Sequence, residues 1–297
     1  MEKESKIYVA GHRGMVGSAI VRKLTSLGYT NLLTRTSSEL DLRNQQNVAD
    51  FFEVEKQEYV FLAAAKVGGI VANNTYRADF LYENLAIQNN IIHGSYVNKV
   101  KKLMFLGSSC IYPKLAPQPL KESYLLSGYL EPTNEPYAIA KIAGIKMCES
   151  YNFQYNTNYK CLMPCNLYGP NDNFHPDHSH MIPGIIHRAY NCKQNNEDFV
   201  IWGDGSPLRQ FIHSKDLAKV ILWAIDNWNS DVPFMAVNDN EHSVMDIVKI
   251  VAKKFGIPND KLIFDETKPR GQFKKPAKSD IPKNFKLRHA FNPSCLN

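Results

Sequence analysis

Several features are missing from this 297-residue chain, and each absence removes a class of protein. The six cysteines form no Cys-x-x-Cys pair and no zinc-like cluster with histidine, so we predict no metal site. No secretory signal precedes the first predicted strand, and no apolar run is long enough to cross a bilayer. We therefore expect a cytoplasmic protein in a reducing compartment, without membrane association.

A strong charge of either sign is also missing. The net charge is +6, with 44% apolar and 22% charged residues, which is ordinary globular composition. Small phosphate-bearing molecules profit from a weak positive field as much as nucleic acid does. Because no basic stripe is interleaved with aromatic residues, nucleic acid is not a predicted partner.

What is present is an alternation of short apolar strands with helices. Helical spacing of apolar residues runs from Val16 to Leu27, and a long helix is predicted to carry residues 137–151. Such alternation predicts βαβ units and a parallel sheet. The rhythm breaks after residue 170, where residues 171–180 suit a loop over a site. Strands are predicted at residues 6–10, 32–34, 59–63, 103–106 and 161–164.

A glycine-rich turn, GHRGMVG at residues 11–17, follows the first strand and opens a helix. Gly11 permits a sharp turn, Gly14 lets the backbone approach a phosphate, and Gly17 lets the helix pack close to the sheet. The helix N-terminus after such a turn is the usual position of a dinucleotide pyrophosphate. The turn therefore predicts a nicotinamide dinucleotide site.

The end of the second strand indicates which dinucleotide is bound. NAD needs an acidic residue there for its free ribose hydroxyl. This chain has Arg35 instead, and Arg13 adds a second cation. Because a guanidinium matches a phosphate fork, we predict NADPH rather than NADH. The alternative is that Arg35 is an ordinary surface arginine.

A Tyr-x-x-x-Lys spacing places Tyr137 and Lys141 one turn apart on the same helix face. A nearby ammonium favours phenolate, so we predict a lowered tyrosine pKa and proton transfer at neutral pH. Ser108 follows the fourth strand, at the sheet edge where ligands lie in open α/β folds. Its hydroxyl is predicted to hydrogen-bond a substrate carbonyl, which completes a Ser-Tyr-Lys set.

Cys110 and His180 admit two interpretations. They are either a small buried thiol and a solvated loop histidine, or an acid/base pair on either side of a substrate. Both groups can be tuned to titrate near neutral pH, and the residues alone leave the alternatives open.

Together these motifs resemble the extended short-chain dehydrogenase/reductase superfamily and, within it, the GDP-L-fucose synthase family. The similarity covers about the first two-thirds of the chain and is far more specific than a glycine turn. The similar segments are residues 11–17, 62–76 (LAAAKVGGIVANNTY), 106–113 (LGSSCIYP), 131–144 (EPTNEPYAIAKIAG) and 166–176 (NLYGPNDNFHP).

The resemblance implies conversion of GDP-4-keto-6-deoxy-D-mannose to GDP-L-fucose, by epimerisation at C3 and C5 and reduction of the C4 ketone with NADPH. It implies Ser108, Tyr137 and Lys141 as the reductase set, with Cys110 and His180 as the epimerisation pair. It also suggests a homodimer through the Tyr137 helix and its neighbour. The predicted cofactor contacts are Gly11, His12, Arg13, Gly14, Met15, Val16, Gly17, Arg35, Asp41, Leu42, Ala63, Ala65, Leu106, Gly107, Lys141, Pro164, Asn166, Leu167 and His180. The predicted substrate contacts are Ser109, Asn166, Arg188, Trp202, Arg209 and Lys275.

The C-terminal part departs from the family pattern. Arg270 stands where the family usually has an acidic or amide residue, and residues 276–280 replace an expected basic, leucine-rich stretch. No closing helix is expected before the chain stops. These departures concern the sugar end, so C4 reduction of a related GDP-4-keto-6-deoxy sugar, such as a heptose, with little or no epimerisation is the alternative.

We predict a Rossmann-type doubly wound parallel sheet at residues 1–170, with a returning segment at 211–238. The smaller substrate lobe is predicted to comprise residues 171–210 and 239–297. A sugar-nucleotide 4-epimerase would reuse bound NAD, and a dehydratase usually has Glu where this chain has Ser109-Cys110. A non-catalytic NADP-binding regulator could lose the tyrosine or the lysine, and this chain keeps both.

Overall fold

The computed structural model describes residues 1–230, 232–268 and 276–289. Its main element is a six-stranded sheet with the order β2-β1-β3-β4-β5-β9, in which every pairing is parallel. The strands are β1 (Ile7–Ala10), β2 (Leu32–Leu33), β3 (Tyr59–Leu62), β4 (Lys102–Leu106), β5 (Tyr159–Pro164), β6 (Asn166–Tyr168), β7 (Phe199–Trp202), β8 (Leu208–His213), β9 (Phe234–Ala236), β10 (Glu241–Ser243) and β11 (Leu262–Asp265). The α-helices are α1 (Met15–Ser26), α2 (Gln45–Glu55), α3 (Ile70–Thr75), α4 (Arg77–Val97), α5 (Glu135–Tyr155), α6 (Met181–Asn195), α7 (Ser214–Asn227) and α8 (Val244–Phe255).

The strand order creates a crevice at the carboxyl ends of the strands. The chain runs from β1 outward to β2 and then returns to the other side of β1 as β3. Open α/β sheets bind ligands where the order reverses in this way. Strands β1 and β3 are buried throughout, as expected for a sheet covered on both faces. The predicted fold class and the predicted strands of this sheet are confirmed.

The remaining strands and helices form a second, smaller core. Strand β8 pairs with β6 and β10, while β7 pairs with β11. Helices α6 and α8 pack on each other and bury Ile185, Ile247 and Val251. Ser243 caps α8: its hydroxyl accepts from the Asp246 N–H at 3.0 Å, and the Asp246 carboxylate accepts from the Ser243 N–H at 2.8 Å.

The sequence did not predict helix α4. Amphipathic periodicity is the main helix signal, and apolar residues are spread around α4 instead of forming one stripe. One side packs against α5 and α2, while Tyr82 and Val97 are exposed on the other. Because its apolar residues follow no helical period, the sequence alone does not identify this segment as a helix.

The described C-terminal segment, residues 276–289, returns to the large sheet. Ala277 exchanges two hydrogen bonds with the side chain of Gln210, at 2.8 and 3.3 Å. The Asp280 carboxylate accepts from the Met235 N–H at 2.8 Å, and the His289 N–H donates to the Asp216 carboxylate at 2.7 Å. Among the described residues, no helix has both the length and the apolar character that a bilayer crossing requires.

Candidate active site

One cavity of about 1040 Å³ lies at the carboxyl ends of the sheet strands and extends to the smaller core. All five residues predicted to be catalytic line it: Ser108, Cys110, Tyr137, Lys141 and His180. Most predicted cofactor and substrate contacts line it as well, namely Gly11, Gly14, Met15, Val16, Arg35, Asp41, Leu42, Ala63, Ala65, Leu106, Gly107, Ser109, Pro164, Asn166, Leu167, Arg188, Trp202 and Arg209. His12, Arg13 and Gly17 are not part of its wall. Lys275 and Arg270 lie outside the described residues.

The glycine turn leaves room for a phosphate by excluding side chains. Gly11 has φ +82°, and a Cβ there would lie 2.7 Å from the Ala64 nitrogen. A Cβ on Gly17 would lie 2.1 Å from the Gly11 carbonyl oxygen, so α1 can only approach the turn without it. Gly14 caps α1 and lines the cavity. The free N–H groups of this helix end fit a dinucleotide pyrophosphate.

Arg35 lies at the same end of the cavity and is held in place. Its guanidinium donates to Glu55 at 2.7 Å and to its neighbour's carbonyl at 2.9 Å, and it lies 5.3 Å from the Phe51 ring centroid. Hydrogen bonds from Thr36 lower the pKa of Glu39, and the charges of Arg35 and Arg13 lower it further. Arg35 and Arg13 therefore both lie near Glu39, as expected if the two cations together bind a 2′-phosphate.

Lys141 is buried on α5 beside the end of β4. Its ammonium donates to the Leu106 carbonyl at 2.8 Å and lies 4.8 Å from the Phe105 ring centroid. This close approach needs Gly144, where a Cβ would lie 2.4 Å from the Phe105 ring. Burial lowers the pKa of Lys141 to about 8, and a thiolate at Cys110 opposes that shift. Lys141 is therefore a cation that gives up its proton readily.

The predicted lowering of the Tyr137 pKa is wrong. Burial raises that pKa, and the charge of Cys110 raises it further. The Lys141 ammonium lies 5.8 Å from the Tyr137 ring centroid and is directed at the Leu106 carbonyl, so loss of phenolate solvation outweighs its attraction. Tyr137 is consequently a neutral phenol, which suits a proton donor.

A single helical turn after β4 carries the serine and the thiol. The Ser108 hydroxyl accepts from the Cys110 N–H at 3.3 Å, which starts a short 3₁₀ turn at Ser109–Ile111. Ser108 and Cys110 are both half-buried and both line the cavity. The turn therefore presents a hydroxyl and a thiol from neighbouring positions to one ligand.

His180 precedes α6 at its N-terminus. Its side chain is open to the cavity, yet the surrounding protein atoms lower its pKa by desolvation. A histidine with a lowered pKa is neutral at pH 7, and it donates its proton readily once it has been protonated.

The far end of the cavity combines a flat indole with cations. The Arg188 guanidinium lies 4.9 Å from the Trp202 ring centroid, and the Lys268 ammonium lies 5.7 Å from it. Arg188 donates to the Val200 carbonyl at 2.9 Å, and burial lowers its pKa to about 10. Arg209 donates to its neighbour's carbonyl at 2.7 Å, and burial lowers its pKa too. This end suits a nucleobase with its diphosphate.

The cavity wall also contains residues that were not predicted from the sequence, among them Asp172 and Asn73. One Asp172 oxygen accepts from the Asn173 N–H at 2.8 Å, while the other is buried without a partner among the described residues. Burial raises the pKa of Asp172 to about 6. Both residues belong to motifs quoted above, but their burial depends on packing between distant segments, which the sequence does not show.

No cluster of three or more histidine, cysteine, aspartate or glutamate side chains suited to a metal occurs within the described ranges.

The sheet, the glycine turn at its switch point and the Tyr–Lys helix define a nicotinamide-dinucleotide enzyme of the Rossmann class. The profile of the NAD dependent epimerase/dehydratase family matches residues 7–238, and the chain belongs to that family. It is 54% identical over 271 residues to GDP-L-fucose synthase 1 of Arabidopsis thaliana, covering 91% of this chain and 84% of that protein.

Two of the similar solved structures illustrate the likeness over almost the whole chain. A GDP-L-fucose synthetase from Naegleria fowleri bound to NADP has a TM-score of 0.92 at 28% identity, covering 100% of this chain and 92% of that one. A GDP-mannoheptose C4 reductase from Campylobacter jejuni with NADP bound has a TM-score of 0.86 at 38% identity, covering 98% and 96%.

Proposed function

We propose that this protein is an NADPH-dependent epimerase/reductase that forms GDP-L-fucose from a GDP-4-keto-6-deoxy sugar. The observation that carries the proposal is one continuous cavity, lined by the glycine turn, the Ser-Tyr-Lys set, Cys110 with His180, and the Trp202 end. The relative named GDP-L-fucose synthase is 54% identical, against 38% for the heptose reductase. Identity therefore favours the fucose reaction over the heptose alternative.

The glycine turn and the arginines fit the cofactor, which when bound supplies the hydride to the sugar C4. The N–H groups in the first turn of α1 would hold the pyrophosphate, and Arg35 with Arg13 would hold the 2′-phosphate. Lys141, whose ammonium donates to the Leu106 carbonyl, would contact the nicotinamide ribose.

Reduction needs one proton at the sugar O4 for each hydride that C4 receives. Ser108 donates a hydrogen bond to the carbonyl oxygen and thereby orients it. Tyr137, a neutral phenol at neutral pH, gives its proton to that oxygen, and Lys141 stabilises the phenolate that results. The products are the C4 alcohol and the oxidised dinucleotide.

Epimerisation precedes reduction because the C4 ketone acidifies the C–H bonds at C3 and C5. A Cys110 thiolate removes the proton from one face, and His180, protonated from solvent, returns a proton to the other face. Each exchange inverts one centre and consumes no reductant. It leaves a Cys110 thiol and a neutral His180, so the thiol loses a proton to solvent and the imidazole gains one from solvent before the second centre is inverted. Reduction of the ketone then ends the exchange.

The test is conversion of GDP-4-keto-6-deoxy-D-mannose with NADPH in D₂O, followed by mass spectrometry and NMR of the product. We expect GDP-L-fucose that carries deuterium at C3 and C5, with one NADPH oxidised per product. Reduction without deuterium at either carbon leaves the plain C4 reductase. Conversion that depends on NAD without net oxidation of NADPH indicates the 4-epimerase or dehydratase alternative.

The proposal includes a homodimer formed through α4 and α5. The two 21-residue helices pack in parallel, as the Phe80–Tyr137 and Tyr96–Tyr155 ring contacts show, and both leave apolar side chains uncovered. Exposed fractions are 69% for Tyr82, 43% for Ile139 and 93% for Phe153. A two-fold axis would cover this surface with its own copy. Tyr82→Glu combined with Ile139→Glu should yield monomers in multi-angle light scattering, and an unchanged mass would contradict the dimer.

Two further proposals concern organisation and compartment. We propose that residues 1–170, with the segment 211–238, form a cofactor-binding domain and that the rest forms a substrate lobe, except residues 276–289, which pack on the core of the large sheet. We also propose that the protein works in a reducing compartment. The five cysteines among the described residues carry free thiols, which is compatible with it.

A further inference from the structure

A close main-chain contact joins two distant segments at the edge of the cavity. The Gly69 N–H, after β3, donates to the His178 carbonyl, before α6, at 2.9 Å. A Cβ on Gly69 would lie 2.2 Å from the Ser179 carbonyl oxygen, a separation that real Cβ atoms do not show. The contact therefore requires glycine at position 69.

Asn73 fixes the glycines that make this contact. Its side-chain amide donates to the Gly68 carbonyl at 2.7 Å and to the Gly69 carbonyl at 3.0 Å. Asn73 is 6% exposed, so these bonds form away from competing water. Tyr76, at the end of α3, adds an edge contact to the His178 ring, with 5.6 Å between the centroids.

The segment held by Gly69 leads directly into His180. Only one residue separates the His178 carbonyl from His180, so a shift of that carbonyl moves the imidazole. Residues 169–180 contain no helix or strand that could fix it otherwise. Neither Gly69 nor Asn73 has a hydrogen bond to Ser108, Tyr137 or Lys141 within the described chain.

We propose that Asn73 and Gly69 are positioning residues that place His180 against the sugar, and that they control epimerisation without taking part in hydride transfer. This inference rests on the proposed function of His180. It predicts that damage to the contact separates the two activities, because the Ser-Tyr-Lys set is held by α5 and β4 instead.

The decisive variant is Asn73→Asp, which keeps the shape of the side chain but replaces the donating amide with a carboxylate facing two carbonyls. Asn74→Asp is the matched control, since it adds the same charge to the adjacent, exposed residue. We expect Asn73→Asp to lower deuterium incorporation at C3 and C5 at least about tenfold. The C4 reduction rate and the NADPH Kd should stay within about threefold of the wild type, and Asn74→Asp should resemble the wild type throughout.

A double-mutant cycle separates positioning from general structural damage. In a His180→Gln background, Asn73→Asp should cause no additional loss of exchange, because the group it positions is already gone. Gly69→Ala should lower exchange in the same way as Asn73→Asp. If Asn73→Asp does not fold, Asn73→Ser replaces it, since serine is too short to reach both carbonyls.

Three results would overturn the inference: unchanged exchange in the variants, an equal loss of exchange and reduction, or a full further loss in the His180→Gln background. Wild-type enzyme that reduces without exchange refutes the proposed epimerisation itself. Wild-type exchange with unaffected variants refutes only the positioning role.

Discussion

The two halves of the proposed chemistry are supported by different kinds of structure. Tyr137 and Lys141 lie on a 21-residue helix packed against the sheet, with the Lys141 ammonium fixed on a strand carbonyl. His180 ends an irregular segment that is held by a main-chain hydrogen bond from Gly69 to His178. Regular structure buried on a sheet tolerates little adjustment, whereas an irregular segment can shift with small changes in its neighbours. The hydride-transfer half should therefore be the more rigid one.

The largest expected effect is on the rigid half. Tyr137→Phe removes a positioned proton donor, and we expect C4 reduction to fall about 10² to 10⁴-fold while NADPH binding persists. Exchange at C3 and C5 should continue, because it does not use the phenol. Tyr155→Phe, on the same helix, is the control and should reduce normally. Near-normal C4 reduction by Tyr137→Phe would contradict the role of Tyr137 as the proton donor, and with it the division between a hydride-transfer half and an epimerisation half.

The second prediction concerns the epimerisation half, exchange at C3 and C5. Cys110→Ser should lower deuterium incorporation about 10²-fold, because a serine hydroxyl is a far weaker base, while direct C4 reduction survives. Isotope content of the product, measured against total product, reports the ratio of the two activities. Cys192→Ser, in the smaller core, is the matched control. Equal loss of both activities would show that the halves are not separable.

A smaller effect is expected at the cofactor end of the cavity, on the preference for NADPH over NADH. Arg35→Ala removes a charge-assisted contact worth roughly 1.5–3 kcal/mol, so kcat/KM for NADPH should fall about tenfold to a hundredfold. The value for NADH should change little, since NADH lacks the 2′-phosphate. Arg22→Ala, exposed on α1, is the control. A wild-type enzyme that prefers NADH would contradict the assignment of Arg35.

The smallest expected effect is on stability. It tests whether the buried Asp172 carboxylate, in the irregular segment at residues 169–180, lowers the free energy of unfolding. Burial raises the pKa of Asp172 from 3.8 to about 6, so the folded state binds the proton more tightly than the unfolded state does. Stability should fall as pH rises from about 4 to 6 and stay reduced above that window. Asp172→Asn should then stabilise the protein at pH 7.5, by at most about 3 kcal/mol, and less at pH 5.

Urea unfolding at the two pH values measures this difference, with Asp177→Asn, exposed on the same segment, as control. A gain for Asp172→Asn that does not depend on pH would mean that its carboxylate is not the source of the cost.

The sequence predicted those parts of the molecule that depend on local signals. Buried apolar runs located the first five strands, β1 to β5, and the glycine spacing located the turn before α1. The Tyr137 pKa was wrong because desolvation depends on residues packed from elsewhere in the chain. The contact of Gly69 with His178 was not predicted for the same reason, since it joins segments more than a hundred residues apart. The roles of individual site residues remain predictions.

The contact at Gly69 has a consequence for how this protein can diverge. Because it joins main-chain atoms, the hydrogen bond leaves the side chain at position 179 free to change, whereas the His178 ring also contacts Tyr76. Gly69 is not free to change, since any substituent at position 69 strikes the opposing carbonyl. Descendants of this gene could thus reshape the mouth of the cavity for other sugars while the histidine stays in place. A single methyl group at position 69 would instead favour descendants that only reduce.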